Sequence, residues 1–230
     1  MDTRVMGADV CRAGWVGIVL DGARVRAYCA GTIRELVDAA GHDGELDVVG
    51  IDIPIGLPDR GRRQADVLAR RWVGPRRAAS VFLTPVRSAL VAADHAEAVR
   101  VNRALAGEGV SAQAYGLRDR ILEVDDWLAH APVRVVEVHP EVSFAAMAGA
   151  PLAEGKKSWA GAQRRRALLA GHGVEVPADL GPAGALAAVD DVLDAAAAAW
   201  SARRVATGSA RLLPDPPERF SDGRPCAIAV

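Results

Sequence analysis

The run Val48-Val49-Gly50-Ile51-Asp52-Ile53 is apolar except for one aspartate, and it exits into Pro54-Ile55-Gly56-Leu57-Pro58. A short run this continuous predicts a strand buried on both faces, at the centre of a sheet. The exit, with two prolines, is a stiff loop that continues neither strand nor helix. Just upstream, Thr32-Ile33-Arg34-Glu35 reads as a capping box that opens a helix through about Ala40. A helix feeding a buried strand makes a crossover, so that strand lies parallel to one already in the sheet.

Further upstream, Val5 to Val10, Trp15 to Leu20 and Val25 to Cys29 are three short apolar strands. Asp21-Gly22 between the second and third is a hairpin signal, and strands joined this tightly form an antiparallel meander. Downstream, residues 60–127 predict an Arg-rich helical insertion. It is broken near Gly74-Pro75 and Gly107 to Gly109 and by a loop from Ala79 to Arg87, and Ser111 begins a helix reaching Trp127. Val133 to Val138 is a fifth strand. Pro140 opens a short helix, Ser158 caps another through about Leu169, and Asp190 caps an alanine-rich helix ending near Gly208. The tail, with Pro214, Pro216 and Pro217, predicts extended chain. The reading is one α/β domain over 1–230: a mixed five-stranded sheet, a meander of three strands plus two parallel strands, flanked by helices. That element order is the one expected of an RNase H-like core.

Composition narrows the setting. The 230 residues are 50% hydrophobic and 25% charged, which excludes wholesale disorder, and only 4% are aromatic. Alanine is frequent, so helices can sit close to a sheet without bulky spacers. Net charge is -1, with 28 basic and 29 acidic residues, whereas proteins that live on duplex DNA carry a clear positive excess. The sign is uneven, however. Ten arginines lie between Arg60 and Arg103, opposed by Asp59, Asp66, Asp94 and Glu97, which leaves room for a local basic surface. Cys11, Cys29 and Cys226 have no metal-type spacing and give no disulfide framework. Met1 to Val10 lacks a signal-peptide pattern, and no apolar run approaches the ~20 residues of a membrane helix. A reducing, cytoplasmic setting without a membrane partner is expected.

Carboxylates carry the chemistry. Asp9 ends the first strand and Asp52 lies near the end of the fourth, so parallel neighbours bring both to one edge of the sheet. Two hard oxygen ligands at one edge suit Mg²⁺ or Mn²⁺. Asp194 is followed by five alanines, a surface so small that it should be buried, where a lone carboxylate needs a partner or a metal. Asp190 and Asp191 lie four and three residues before it, on the same helical side, and can also be read as complements to the helix dipole. Glu137, at the end of the fifth strand, contends with Glu141 as a fourth carboxylate. His139 shares a strand face with Glu137 and reads as a structural hydrogen-bonding group. Arg12, Lys156 and Lys157 are candidates for holding a substrate phosphate, although Lys156 and Lys157 also read as a solvated charge run. A P-loop-type glycine pattern is absent.

Four blocks carry a family resemblance: Gly7-Ala8-Asp9-Val10-Cys11-Arg12-Ala13-Gly14-Trp15, Ile51-Asp52-Ile53-Pro54-Ile55-Gly56-Leu57-Pro58, Glu137-Val138-His139-Pro140-Glu141-Val142-Ser143-Phe144 and Asp190-Asp191-Val192-Leu193-Asp194-Ala195. Together, and in this order, they resemble the predicted RNase H-like nucleases catalogued as the domain of unknown function number four hundred and twenty-nine. The resemblance runs from about Gly7 to Pro217. It implies an RNase H-like fold and a metal-dependent nuclease, with Asp9, Asp52, Glu137 and Asp194 as the acidic set and Asp191 as an auxiliary ligand. The family usually has glycine after the first aspartate, and this chain has Val10.

The leading expectation is hydrolysis of phosphodiester bonds in nucleic acid, dependent on Mg²⁺ or Mn²⁺, with the Arg-rich insertion on the backbone of the polymer. An alternative is phosphoryl transfer or hydrolysis on a small molecule, as in the related actin-like scheme, which the near-neutral charge suits. A third is a non-catalytic binding protein that keeps the fold. Oligomeric state is open, a homodimer included.

Overall fold

The computed structural model describes residues 3–230, and the statements below concern those residues. Along β1 (Arg4–Cys11), Val5, Gly7, Asp9 and Cys11 face one side of the sheet while Met6, Ala8 and Val10 face the other, as a period of two requires. The chain then turns back tightly into β2 (Gly14–Asp21) and again, at Gly22, into β3 (Arg24–Ala30), completing the antiparallel meander. Helix α1 (Ile33–Gly41) opens on the capping box: Glu35 N–H donates to Thr32 Oγ1 at 3.2 Å and Thr32 N–H donates to Glu35 Oε2 at 3.1 Å. It leads into β4 (Val48–Ile51), which is parallel to β1 and buried throughout.

Between β4 and β5 (Arg134–Glu137) come α2 (Gln64–Trp72), a 3-10 turn at Ala78–Ser80, α3 (Arg87–Leu90), α4 (His95–Ala106), α5 (Ala112–Gly116) and α6 (Arg118–Trp127). Ser111 caps α5 as expected, its Oγ accepting from Ala114 N–H. The single helix expected from Ser111 to Trp127 is two, with Leu117 ending one and starting the next beside Gly116. After β5, which is parallel to β4, come α7 (Pro140–Ala148), α8 (Trp159–Gly171), α9 (Pro182–Leu186) and α10 (Val189–Ala206). Asp190 does not cap α10. The cap is Ala188, two residues earlier, which leaves Asp190 and Asp191 in the first turn of the helix.

The sheet has seven strands, not five, in the order β3-β2-β1-β4-β5-β7-β6. The tail expected to be merely extended forms β6 (Leu212–Arg219) and β7 (Pro225–Ala229). β7 joins β5 in parallel through the pair Glu137 and Ile228, and β6 lies antiparallel outside it. Proline lacks an N–H and is tolerated on an edge strand or at a bulge, and β6 is both an edge and irregular between Leu213 and Glu218. β4, as its sequence predicts, is the middle strand of the sheet.

Helices cover both faces. α2, α7, α8 and α10 share one core with the Val5, Val16 and Ile18 side of the sheet. α1 and α6 share another with Met6, Trp15 and Ile51. A small separate core of Val86, Ala89, Ala98, Val110 and Ala114 holds α3, α4 and α5 together.

The closest approach is that of α10. A Cβ on Gly7 would lie 2.0 Å from the Ala199 nitrogen and 2.1 Å from the Ala195 oxygen, and one on Gly50 would lie 2.8 Å from the Ala198 oxygen. The alanine run thus rests directly on the backbone of β1 and β4. Gly7→Ala is therefore expected to destabilise the protein by about 3 kcal/mol or more, at the upper end of overpacking costs. Gly41→Ala, at the open end of α1 with nothing near its would-be Cβ, should be neutral or stabilising by up to ~1 kcal/mol. Urea midpoints of the two variants test the contrast.

Candidate functional site

The register of β1 and β4 brings two carboxylates together. Asp9 lies one residue beyond the last β1–β4 pair, Ala8 with Ile51, and Asp52 N–H donates to the Ala8 carbonyl at 3.1 Å. α10 adds a third. Asp194, one residue before the alanine run, is only 2% exposed. These three line a cavity of about 300 Å³ with Val10, Asp191, His139, Pro140, Glu141 and Lys156. Arg77, Ser80 and Phe82 from the loop after α2, and Gln113 and Leu117 around α5, complete its wall. A hollow of about 420 Å³ bordered by β5 and β7 is larger, but its walls are mainly apolar.

The other expected residues divide. Asp191 and Lys156 are in the cavity wall, whereas Arg12 and Lys157 are exposed and outside it. Glu137 borders a narrow crevice beside the cavity, and its oxygens are engaged elsewhere. Arg63, fully buried, donates through Nη2 to both of them at 2.6 Å, and Ile55 N–H donates to Oε2 at 2.7 Å. Arg63 also meets Asp66 at 3.4 Å, and Asp66 accepts from Thr84 N–H at 2.7 Å. Burial alone would lower the Arg63 pKa, but Asp66 and Glu137 together raise it above its ordinary value. This network ties the end of β5 to the loop after β4, the start of α2 and the loop before α3.

Glu141 is the glutamate that lines the cavity. It sits in the first turn of α7, and the buried Arg165 of α8 donates to it at 2.5 Å. Pro140 at the first helical position is the signal that could have favoured it, because a helix opening at the strand end turns its first residues toward that edge. Nothing local marks Arg63 or Arg165 as buried, since each sits beside further arginines. His139 precedes α7, and its Nδ1 is buried without a hydrogen-bond partner. Burial lowers its pKa, which favours the neutral ring.

The cavity is short of positive charge. Burial, reinforced by Asp52 and Asp194, holds Asp9 well above the usual carboxylate range. Burial pushes Asp52 up to about 7 and Asp194 up to about 7, in both cases against the opposing pull of Lys156. Asp191 is raised as well, by burial and by Asp190. Lys156 Nζ donates to Asp194 Oδ2 at 2.6 Å and lies 4.0 Å from Asp190, while Asp194 Oδ1 is buried without a partner. The donors are all hard oxygens, the type that Mg²⁺ and Mn²⁺ take, and the orphaned oxygen and raised carboxylates match a divalent cation in kind. Yet among the described residues no three His, Cys, Asp or Glu side chains form a ready-made metal cluster.

The chain matches, over residues 7–219, the model of a family described as a protein of unknown function (DUF429). No curated protein and no solved structure matches it. Among the described residues, no helix is long and apolar enough to cross a membrane.

Two measurements check this electrostatic account. Glu137→Gln removes one of the two carboxylates that neutralise the buried Arg63, leaving Asp66, and should cost about 3 kcal/mol of stability in urea unfolding. For Asp52 the folded pKa lies above the unfolded one, so its ionisation opposes folding increasingly as pH rises from about 4 to about 7. Asp52→Asn should therefore raise the melting temperature relative to wild type at pH 8, with the difference vanishing near pH 4.

Proposed function

The chain belongs to the DUF429 family, and from its acidic pocket we propose a hydrolase of phosphodiester bonds in nucleic acid that depends on Mg²⁺ or Mn²⁺. The observation that carries this reading is the convergence of Asp9, Asp52 and Asp194, from β1, the end of β4 and α10, in one cavity that lacks the positive charge to keep all three ionised. The meander followed by the parallel strands β4 and β5 supports an RNase H-like core, to which β7 and β6 are added on the far side.

Asp9, Asp52 and Asp194 would hold the ion, with Asp191 as the auxiliary ligand. When bound, such an ion supplies Lewis acidity toward a phosphoryl oxygen and toward water. The protein groups do the rest. Glu141, held by Arg165 through Oε1, would use its other oxygen to accept a proton from the attacking water. Arg77 is braced by donating to the Leu152 and Ala153 carbonyls at 3.0 and 2.7 Å, and together with Lys156 it offers positive charge to the phosphate. Phe82 offers an aromatic face on which an unpaired base can stack.

A second reading, hydrolysis of a small phosphate ester, is favoured by the enclosure of the pocket and by how the arginines of residues 60–127 are used. Arg62, Arg63 and Arg87 are already paired with Glu108, Glu137 and Asp125, which leaves fewer for the backbone of a long polymer. The test is to offer single-stranded, duplex and branched DNA, RNA and a small phosphodiester with Mn²⁺. Wild type should cut at least one of them, and Asp9→Asn and Asp194→Asn should each lower the rate by about 100-fold or more, the scale lost with one strong electrostatic stabiliser. No cleavage of any substrate, or equal cleavage by the variants, overturns the reading. Cleavage of the small ester alone selects the second one.

A further inference from the structure

Three cations serve the carboxylates around the acidic end of the sheet, and they are held in two different ways. Arg63 and Arg165 are fully buried, and each grips a glutamate that it cannot leave without stranding a buried charge. Lys156 is different. It belongs to neither helix nor strand, lying in the segment between α7 and α8, and its side chain is 37% exposed. Its single charge faces four aspartates: it contacts Asp194 and Asp190 and acts on Asp9 and Asp52 through space. The carboxylates are those a divalent ion would take; among the described residues no three ligand groups form a ready cluster, and the ammonium is bonded to one of these carboxylates.

We infer that Lys156 is a displaceable counter-ion, a tethered cation that stands in for the divalent ion at Asp194 and is released from that carboxylate when the ion binds. This rests on the proposed metal-dependent reading of the same pocket. A flexible four-carbon stem carrying a compact charge suits the exchange, because the ammonium can swing into solvent or onto an incoming phosphate without unravelling a packed element. The backbone of that segment need not move, since Arg77 holds the Leu152 and Ala153 carbonyls and Ser158 donates to the Gly155 carbonyl at 2.8 Å. The Asp194 oxygen freed in this way, together with the orphaned Oδ1, would leave both oxygens of that carboxylate open to the ion.

The exchange predicts a reversal of the usual effect of deleting a pocket residue. Titration calorimetry with Mn²⁺ on the whole protein should show Lys156→Gln and Lys156→Met binding the ion about tenfold more tightly than wild type. Lys157→Gln, which removes the same charge from outside the cavity, should change the affinity less than twofold. In wild type, Mn²⁺ should also increase the labelling of the Lys156 amine by an acylating reagent, read by mass spectrometry of the digested protein. Unchanged or weaker Mn²⁺ binding in both Lys156 variants, with wild type still binding, overturns the counter-ion role and leaves the metal-dependent reading standing. Equal gains from Lys156→Gln and Lys157→Gln reduce the effect to net charge and also overturn it. If neither wild type nor the variants bind Mn²⁺, the metal-dependent reading falls and takes this inference with it.

Discussion

The contact on which the rest depends is that of α10 with the bare backbone of β1 and β4. At Gly7 and Gly50 there is no side chain on the strand, and on the helix there are only methyl groups, so the two backbones meet at van der Waals distance. A helix held this close has little freedom to slide or roll, because any shift drives Ala195 to Ala199 into the strands. Asp194 is the residue immediately before that run. Its position over the ends of β1 and β4 therefore follows from packing, with no specific bond needed to place it.

The same closeness sets the electrostatic problem. Carboxylates from the strand ends and the helix share a space with few solvent paths, and burial raises each of them. The fold answers in two ways. Glu137 and Glu141, at the end of β5 and the start of α7, are neutralised by arginines that are themselves sealed in. The aspartates are left with one partly exposed lysine. A protein seeking only stability would do better with fewer carboxylates there, and an unrelieved cluster of this kind is a familiar mark of a working site.

Much of this was legible in the sequence. The meander, the capping box at Thr32 and Glu35, the central position of β4 and the burial of Asp194 all follow from local patterns, namely alternation, cap chemistry and the small side chains after Asp194. The features that local patterns do not reach share a cause, which is that the deciding partner is remote. Pro214, Pro216 and Pro217 argue against an interior strand, and nothing nearby reveals that β7 offers them an edge. Strand alternation describes Glu137 well but stops at Val138, so it cannot say that Glu141 turns into the cavity on the first turn of α7. Arg63 sits in a basic run, and only the fold shows that it is enclosed by Glu137 and Asp66.

The joining of β7 to β5 bears on how the protein reaches this structure. Glu137 and Ile228, the one residue pair that links these strands, are about ninety positions apart in sequence. Closing so long a loop costs entropy before any contact repays it, and nearly all the helices of the second half must be ordered within that span. β1 to β4 have much shorter-range partners and can assemble first, while β5 joins β4 across a span nearly as long, from Ile51 to Glu137. The floor beside Glu137 is sealed only when Cys226 settles against Gly56 and Asp222 accepts from Leu57 N–H. Assembly of the sheet thus has a natural last step, and until that step the ion pair of Arg63 with Glu137 stands open to water on the side that β7 will cover.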